Sequence, residues 1–488
     1  MMASFYFVGI KGMGMASLAA LLHEEGNTVS GCDVEEDFAT SLLLKECQLH
    51  CDIGFDPSLL PPVDEVVYST AYKTDIPLLE EARKRGIPVK SYNETIAAVT
   101  RKKESFIVCG THGKTTVTAM ADYLLSRPSR KAYPFFSIYG SSILGEEDRP
   151  PQGNRFFLLE GCEYKDHFLT YKARGAIVTS IAWDHPDYFK DEEAVYRSFE
   201  KFTDQIEAGG FLVICVDGKL TKRLLSHARR FRRDLNIIPY GFFASGPFRI
   251  RHNQLGGISL DFCENSFSLP AESDAWIDDM VGSSLFATAM LLDAPEVKPM
   301  LKENLLVTDE VFPTVFSGMV SDIASFPGTR GRMEKIGEEG GVLYYDDYAH
   351  HPGQIAVVLE TLRKRHPGRH ILVVFRPHTA SRTNALFDDF VLALSRADKL
   401  VVEETFASAR NDADEKGADS SKRLADALSG LMFHRQNCTL GAVIHADTDE
   451  KAASIAASWL MDGDICVTLG AGNSSILTRQ IMQKRKES

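Results

Sequence analysis

The 488-residue chain has no apolar run near the ~18 residues that would span a bilayer, which excludes a transmembrane helix. It has nine cysteines but no C-x-x-C pair and no zinc-type spacing, so no disulfide framework or zinc ribbon organises it, and a reducing compartment is expected. It has no basic excess. The formal net charge of −13 argues against a general nucleic-acid or anionic-membrane binder, although a local glycine loop still binds phosphate inside an acidic protein. It has no leader-like start: the chain runs at once into Ser4-Phe-Tyr-Phe-Val-Gly-Ile10, which reads as a strand, and the expected location is cytoplasmic.

What remains is a globular composition, 44% apolar and 25% charged, in a chain long enough for two to four domains. The stretch that organises it is Ser105–Thr118. An apolar run, Phe106-Ile-Val-Cys109, stops at Gly110, and a helical pattern begins after Lys114. Between them Gly110-Thr-His-Gly-Lys-Thr-Thr116 has the composition of a phosphate cradle. Glycines let the backbone N–H groups turn inward, the new helix adds its positive end, Lys114 adds a charge and Thr115 a hydroxyl for Mg²⁺. The first glycine of the long P-loop pattern is replaced by Val108, so the fit is to the shorter Gly-x-x-Gly-Lys-Thr.

Tyr6–Ile10 is predicted as a strand, followed by the loop Gly9-Ile-Lys-Gly12-Met-Gly14, a helix and the strand Thr28–Cys32 ending in Asp33. A glycine loop at the first βα turn and an acid after the second strand are where dinucleotide-binding folds hold phosphate and ribose. The glycine spacing departs from that fingerprint, and two readings stand: a diphosphate site, or close helix–strand packing. Further strands are predicted at Glu65–Tyr68, ahead of Ser69-Thr70, and at Pro88-Val-Lys; the polar stretch Arg101-Lys-Lys-Glu marks a domain boundary.

In the middle third the strand Phe156–Leu159 ends at Glu160, and Ala176–Ile181 leads to Trp183-Asp-His185. A carboxylate and an imidazole at the carboxyl ends of parallel strands suit a second set of metal contacts near a triphosphate, or else a solvated strand end and a turn residue. Short apolar runs at 211–215, 237–240 and 257–262 predict more strands, partly antiparallel. The basic run Lys222–Arg233 reads as a solvated helix face. In the last third a Gly/Pro-punctuated linker begins at Phe326. Strands are predicted at 342–345, 371–375, 399–402 and 465–469, with a helix over 353–363, and polar groups follow the strand ends. Arg332, Arg376, Arg382 and Arg410 are candidates for carboxylate or phosphate recognition, or for surface ion pairs. Asp346-Asp-Tyr-Ala-His350-His351-Pro reads as a strand-exit loop.

Three α/β domains with these loops resemble the Mur ligases, over essentially the whole chain. The markers are Gly110–Thr116, Trp183-Asp-His-Pro-Asp, Gly331-Arg-Met-Glu, Asp346–Pro352 and Gly470-Ala-Gly-Asn473. The resemblance implies an N-terminal Rossmann-like UDP-binding domain (1–102), a central P-loop ATPase-like domain (103–324) and a C-terminal Rossmann-like α/β domain that binds the amino acid and closes over the others (325–488). It implies UDP-sugar contacts from Gly9, Ile10, Lys11, Gly12, Met13, Gly14, Asp33, Ser69 and Thr70. It implies ATP contacts from Gly110, Thr111, His112, Gly113, Lys114, Thr115, Thr116, Arg332, Asp347 and His350. Mg²⁺ falls to Thr115, Glu160 and His185, amino-acid binding to His351, Arg382 and Arg410, and catalysis to Lys114, Glu160, His185 and Arg332.

Within the family, His112, the loop Val8–Met15 and the double histidine favour the members that join L-alanine to UDP-N-acetylmuramate. Members that add a recycled tripeptide to the same sugar nucleotide are the alternative, and Leu159–Tyr164 leans towards them. A degenerate nucleotide-binding relative is a further alternative. A cytoplasmic monomer or weak dimer acting on small molecules is expected. The chain departs from the family pattern at Cys162, where an acid is usual, at Arg376 for glutamine and at Thr379 for arginine. It departs again at Gly282–Ala289, where a helix start bearing one histidine and two asparagines is usual.

Overall fold

The computed structural model describes residues 2–36, 38, 40–72, 74–127, 137–138, 143, 155–253, 257–262, 265–270, 272–293, 311–406, 420–432, 439–470 and 474–487. They form two compact units. One comprises Met1–Ala182, Glu193–Leu269 and Asp278–Pro327, and the other Trp183–Glu192, Pro270–Ile277 and Gly328–Ser488. The passage at Pro327/Gly328 falls inside the predicted Gly/Pro linker. Among the described residues no helix is long and apolar enough to cross a membrane.

The first unit holds two parallel sheets and a small antiparallel one. The N-terminal sheet has the spatial order His50–Ile53, Thr28–Asp33, Ser4–Val8, Glu65–Tyr68, Val89–Ser91. The order reverses beside Ser4–Val8, so the loop after that strand lies at a topological switch point, where open α/β sheets bind ligands. The strand ends at Val8 and not at the predicted Ile10. Gly9 turns with a positive φ of 86°, and the N–H groups of Gly9 and Ile10 both donate to the Cys32 carbonyl, at 2.8 and 3.2 Å.

The central sheet runs Asn236–Tyr240, Phe211–Cys215, Gly175–Val178, Glu104–Cys109, Phe156–Gly161, Ser137–Ile138, all parallel. Phe106, Ile107, Val108 and Cys109 are fully buried, as befits a strand covered on both faces, and each large apolar side chain removed from water there contributes about 1.5–3 kcal/mol. The predicted strand 176–181 stops at Val178, because Thr179 and Ser180 turn to brace the phosphate loop. Ile250–His252, Ile258–Phe262 and Asn265–Leu269 form the antiparallel sheet expected in part. The basic run lies on the helix Lys219–Phe231 and beyond it, with Arg223 paired to Glu193 and Arg232 to Asp234 on the surface.

The second unit has the spatial order Glu334–Glu339, Val342–Asp347, Ile465–Gly470, Ile371–Arg376, Lys399–Glu403, Ala442–Ala446, with only Glu334–Glu339 antiparallel. Val373 and Phe375 pack into one core and Leu372 and Val374 into another, so the sheet is covered on both faces. Asp346 and Asp347 belong to the strand and are buried, which corrects their reading as members of an exit loop.

Candidate active site

The phosphate loop joins the Glu104–Cys109 strand to the helix Lys114–Leu125. Gly113 caps that helix at φ +84°, a left-handed conformation that a side chain would strain. The loop is braced from the neighbouring strand end. The Thr111 N–H donates to the Ser180 carbonyl at 3.0 Å, the His112 N–H to Ser180 Oγ at 2.9 Å, and the Thr111 hydroxyl to the Ala182 carbonyl at 3.1 Å.

Lys114 Nζ pairs with Glu163 Oε2 at 2.9 Å and also donates to the Gly110 and Thr111 carbonyls. Burial works against its charge, but the carboxylates of Glu163 and Glu160 more than offset this, and the ammonium holds its proton more tightly than an ordinary lysine. On the adjacent strand Glu160 stands in register with Val108, and its Oε2 accepts from the Thr115 hydroxyl at 3.0 Å. The structure thus brings together Lys114, Thr115 and Glu160, as the sequence reading expected of one cluster. It adds Glu163, 1% exposed, which that reading passed over although it lies three residues beyond Glu160. Cys162, in the place of an acid, is a neutral thiol, pushed up to about 12 by burial and by Glu163.

At the N-terminal loop Asp33 accepts from the Lys11 N–H at 2.7 Å, the Tyr72 hydroxyl at 2.8 Å and the Val34 N–H at 2.9 Å. It is 3% exposed and staples the loop. Lys11 Nζ is spent on the carbonyls of Val34, Glu35 and Glu36. A Cβ on Gly9 would come 2.6 Å from the Tyr72 ring, so close packing accounts for that glycine. Gly12 and Gly14 lie at the start of the helix Met13–Glu24, whose N-terminus has no side-chain cap, and Met13 is exposed there. Ser69 and Thr70 follow the Glu65–Tyr68 strand, with the Ser69 N–H bonded to the Val8 carbonyl at 3.0 Å.

The second unit gathers a different set. Asp184, 5% exposed, and Arg382, 4% exposed, are bonded through Arg382 NH2 at 2.9 Å and Nε at 3.0 Å. Burial alone would raise the Asp184 carboxyl; the charge of Arg382, the largest opposing influence, outweighs it and holds the group far below the usual range. Arg382 also meets His378 Nδ1 at 3.0 Å, and the His378 ring lies 5.2 Å from that of His350. His350 is held well below its usual value by burial and by Arg382 and His378, so it is neutral.

Asp347 accepts from the N–H groups of Met333 and Ala349, each at 2.7 Å. It is pushed up to about 6 by burial, against the opposing pull of Arg332. The Arg332 guanidinium lies 5.0 Å over the Tyr348 ring. Three residues read as ligand contacts are occupied within the protein. His351 caps the helix Pro352–Arg365 by accepting from the Gly353 N–H at 3.1 Å. Arg382 is committed to Asp184. Arg376 bridges Glu403 at 2.8 Å and Asp449 at 2.6 Å. His185 is part of this second unit, whereas Thr115 and Glu160 belong to the first. Arg410 and residues 471–473 lie outside the described residues.

Gly282 does not open a helix, as the family pattern suggested, but stands within the helix Asp274–Asp293. The hydroxyls of Ser283 and Ser284 bond back to the Met280 carbonyl, at 3.0 and 2.8 Å, and that of Thr288 to the Ser284 carbonyl at 2.7 Å. All three residues are fully buried, so this stretch packs and presents no side-chain polar group to a ligand.

A parallel sheet bearing a lysine–threonine phosphate loop, in a chain with one further parallel sheet and one mostly parallel sheet, defines a modular nucleotide-using enzyme of the α/β class. Comparison with known proteins makes this specific. The Mur ligase family catalytic domain matches residues 4–104, the Mur ligase middle domain 108–255, and the Mur ligase glutamate ligase domain 331–472. A UDP-N-acetylmuramate–L-alanine ligase of Desulfitobacterium hafniense is 32% identical over 96% of this chain and 97% of that protein. Its counterpart in Treponema pallidum is 30% identical over 99% and 96%. Among solved structures, UDP-N-acetylmuramate–alanine ligase MurC of Thermotoga maritima shares the fold with a TM-score of 0.72 at 19% identity, covering 99% of both chains. A murein peptide ligase of Psychrobacter arcticus does so with a TM-score of 0.64 at 18% identity, over 100% of this chain and 99% of that one. The chain belongs to the Mur ligase family.

Proposed function

We propose that this chain joins the carboxylate of UDP-N-acetylmuramate to the amine of L-alanine, with ATP as the energy source, as a step in peptidoglycan precursor synthesis. The observation that carries the reading is the Lys114–Thr115–Glu160 cluster on a chain similar over nearly its whole length to ligases of that name. The muramyl carboxylate oxygen attacks the γ-phosphorus, ADP leaves, and an acyl phosphate forms. The alanine nitrogen then attacks the acyl carbon, phosphate leaves, and a proton is lost from nitrogen as the amide forms.

The chain's own part is to crowd anions together. Lys114, held in position by Glu163 and two loop carbonyls, and the N-terminus of its helix carry positive charge to the phosphates. Mg²⁺ suits this loop, since Thr115 and Glu160 offer hard oxygen donors on adjacent elements, and bound there it would neutralise phosphate charge. The open N-terminus of the helix Met13–Glu24 is the proposed seat of the UDP diphosphate. In the second unit, Asp347, Arg332 and His350 are the proposed nucleotide contacts. The small-molecule substrates and a cytoplasmic setting follow from the same reading.

Phosphate release from ATP tests it. UDP-N-acetylmuramate is supplied with L-alanine, glycine, L-serine or the L-Ala-γ-D-Glu-diamino-acid tripeptide, each separately. Release is expected with the sugar nucleotide and L-alanine together. Turnover with the tripeptide alone would assign the chain to the recycling reaction, and the absence of release with every acceptor would overturn the proposal.

A further inference from the structure

We infer that this chain carries a Zn²⁺ site at the ends of two central strands, with Cys215, Asp217 and Asp278 as ligands and the Tyr240 oxygen as the fourth donor. It shares no residue with the Thr115–Glu160 pair. The three ligands come from separate stretches that meet at the carboxyl end of the central sheet. Cys215 ends the Phe211–Cys215 strand and is buried. Asp217 follows two residues on, ahead of the helix Lys219–Phe231, and Asp278 stands in the turns of the helix Asp274–Asp293 that precede Gly282. One donor atom from each, the Cys215 Sγ and an oxygen of each carboxylate, lies within 4.8 Å of the other two. Donors of a tetrahedral zinc stand about 3.5 Å apart, so movements of about 1 Å complete the set. The Asp217 carboxylate is already oriented, since it accepts from the Phe242 N–H at 2.9 Å and the Phe243 N–H at 3.0 Å. Outer hydrogen bonds of this kind fix metal-ligating carboxylates.

Tyr240 points to a ligand independently. Its side chain is fully buried and its hydroxyl has no hydrogen-bond partner. A buried hydroxyl left so is costly unless an ion or a water completes it. The hydroxyl faces the cluster. Tyr240 stands opposite Cys215 on the adjacent parallel strand, so the two side chains leave the sheet on the same face. The hydroxyl ends against Gly282, where a Cβ would come 2.2 Å from it, and Gly282 is one turn along the helix from Asp278. The ionisable groups that act on it are Cys215, Asp278, Asp279 and Asp217.

A thiolate together with carboxylates selects the class of metal. Mg²⁺ and Ca²⁺ take oxygen donors throughout and Cu(I) takes soft donors, whereas Zn²⁺ accepts both sulfur and carboxylate oxygen. Binding exchanges the Cys215 thiol proton for the metal, and the proton passes to solvent. The bound ion pins the helix Asp274–Asp293 to the strand ends. Asp279, beside the ligand Asp278, packs against the phosphate loop: a Cβ on Gly113 would come 2.6 Å from Asp279 Oδ1. The pinned helix therefore backs that loop.

The test is titration of the full chain, first stripped with a chelator, with Co²⁺ as a spectroscopic stand-in for Zn²⁺. Wild type should take up one equivalent with the sulfur-to-cobalt charge-transfer absorption and the intense visible bands of a tetrahedral site, and Zn²⁺ should displace it. Cys215→Ala should lose the charge-transfer absorption. Asp278→Asn and Tyr240→Phe should each bind about tenfold more weakly or worse. Cys162→Ala, which removes the thiol beside the phosphate loop, should leave the signal unchanged. Circular dichroism checks that each variant is folded, and the half-buried Asp278→Asn carries the test if Cys215→Ala is not. Absence of the charge-transfer absorption in wild type, its persistence in Cys215→Ala, its loss in Cys162→Ala, or wild-type affinity in Asp278→Asn would overturn the inference. Wild-type affinity in Tyr240→Phe would overturn the fourth donor.

Discussion

Replacing Arg382 with methionine removes the cation opposite Asp184 while keeping most of the side-chain volume. At about 3 Å and an effective dielectric near 20, the gross attraction of such a pair is about 5 kcal/mol. Taking both charges out of water offsets much of it, so the pair contributes little net stability. The single variant differs: it strands Asp184 in a site that leaves it 5% exposed, and such a loss costs about 3–5 kcal/mol.

The three tryptophans, Trp183, Trp276 and Trp459, all lie in the second unit, so their fluorescence during urea unfolding reports that unit alone. With a urea slope of about 2 kcal/mol/M, the midpoint should drop by about 2 M. Asp184→Asn should cost a similar amount, and the double variant less than the sum of the two. The pH dependence has a definite sign. Because the folded carboxyl lies below its unfolded value near about 4, its contribution is present above that value and lost as pH falls further, so the gap between wild type and Arg382→Met should narrow in acid. A midpoint change equivalent to less than about 1 kcal/mol, or strict additivity in the double variant, would refute the assignment of a buried, coupled pair.

Lys114→Ala should abolish turnover while UDP-sugar binding, measured by calorimetry, stays near wild type; retained turnover would remove the phosphate-loop assignment. Gly113→Ala forces a side chain into a left-handed position facing Asp279, and nucleotide affinity should fall at least tenfold; normal affinity would mean that the cap adjusts freely. Asp347 is pushed up to about 6, above its unfolded value near about 4, so its contribution to stability is greatest below about 4 and declines as pH rises to about 6. In Arg332→Gln the opposing cation is gone and the decline should extend to higher pH in the same tryptophan assay; a profile identical to wild type would show that Arg332 does not act on Asp347.

The phosphate loop was legible because all its parts are local: an apolar strand, two glycines, Lys-Thr and a helix occupy fourteen consecutive residues, Ser105–Thr118. The same locality made most strands readable, since runs such as Phe211–Cys215 are apolar throughout wherever a parallel sheet is covered on both faces. The alternating β and α order gave the fold class and the resemblance gave the family. What each polar side chain is committed to was not legible, because its partners are far along the chain. Asp33 reads from the sequence as a ribose contact, and its oxygens hold the Tyr72 hydroxyl and the Lys11 N–H. Arg382 reads from the sequence as a ligand contact or a surface ion pair, and its partner is the buried Asp184, 198 residues away.

The chain by itself thus determined the elements and the phosphate grip, since local periodicity and glycine placement depend only on neighbours in sequence. Tertiary structure alone decided which charges are spent on one another, as Arg382 is on Asp184 and Arg376 on Glu403. Hydrogen bonds and ion pairs act over a few ångströms in space, whatever their separation along the chain.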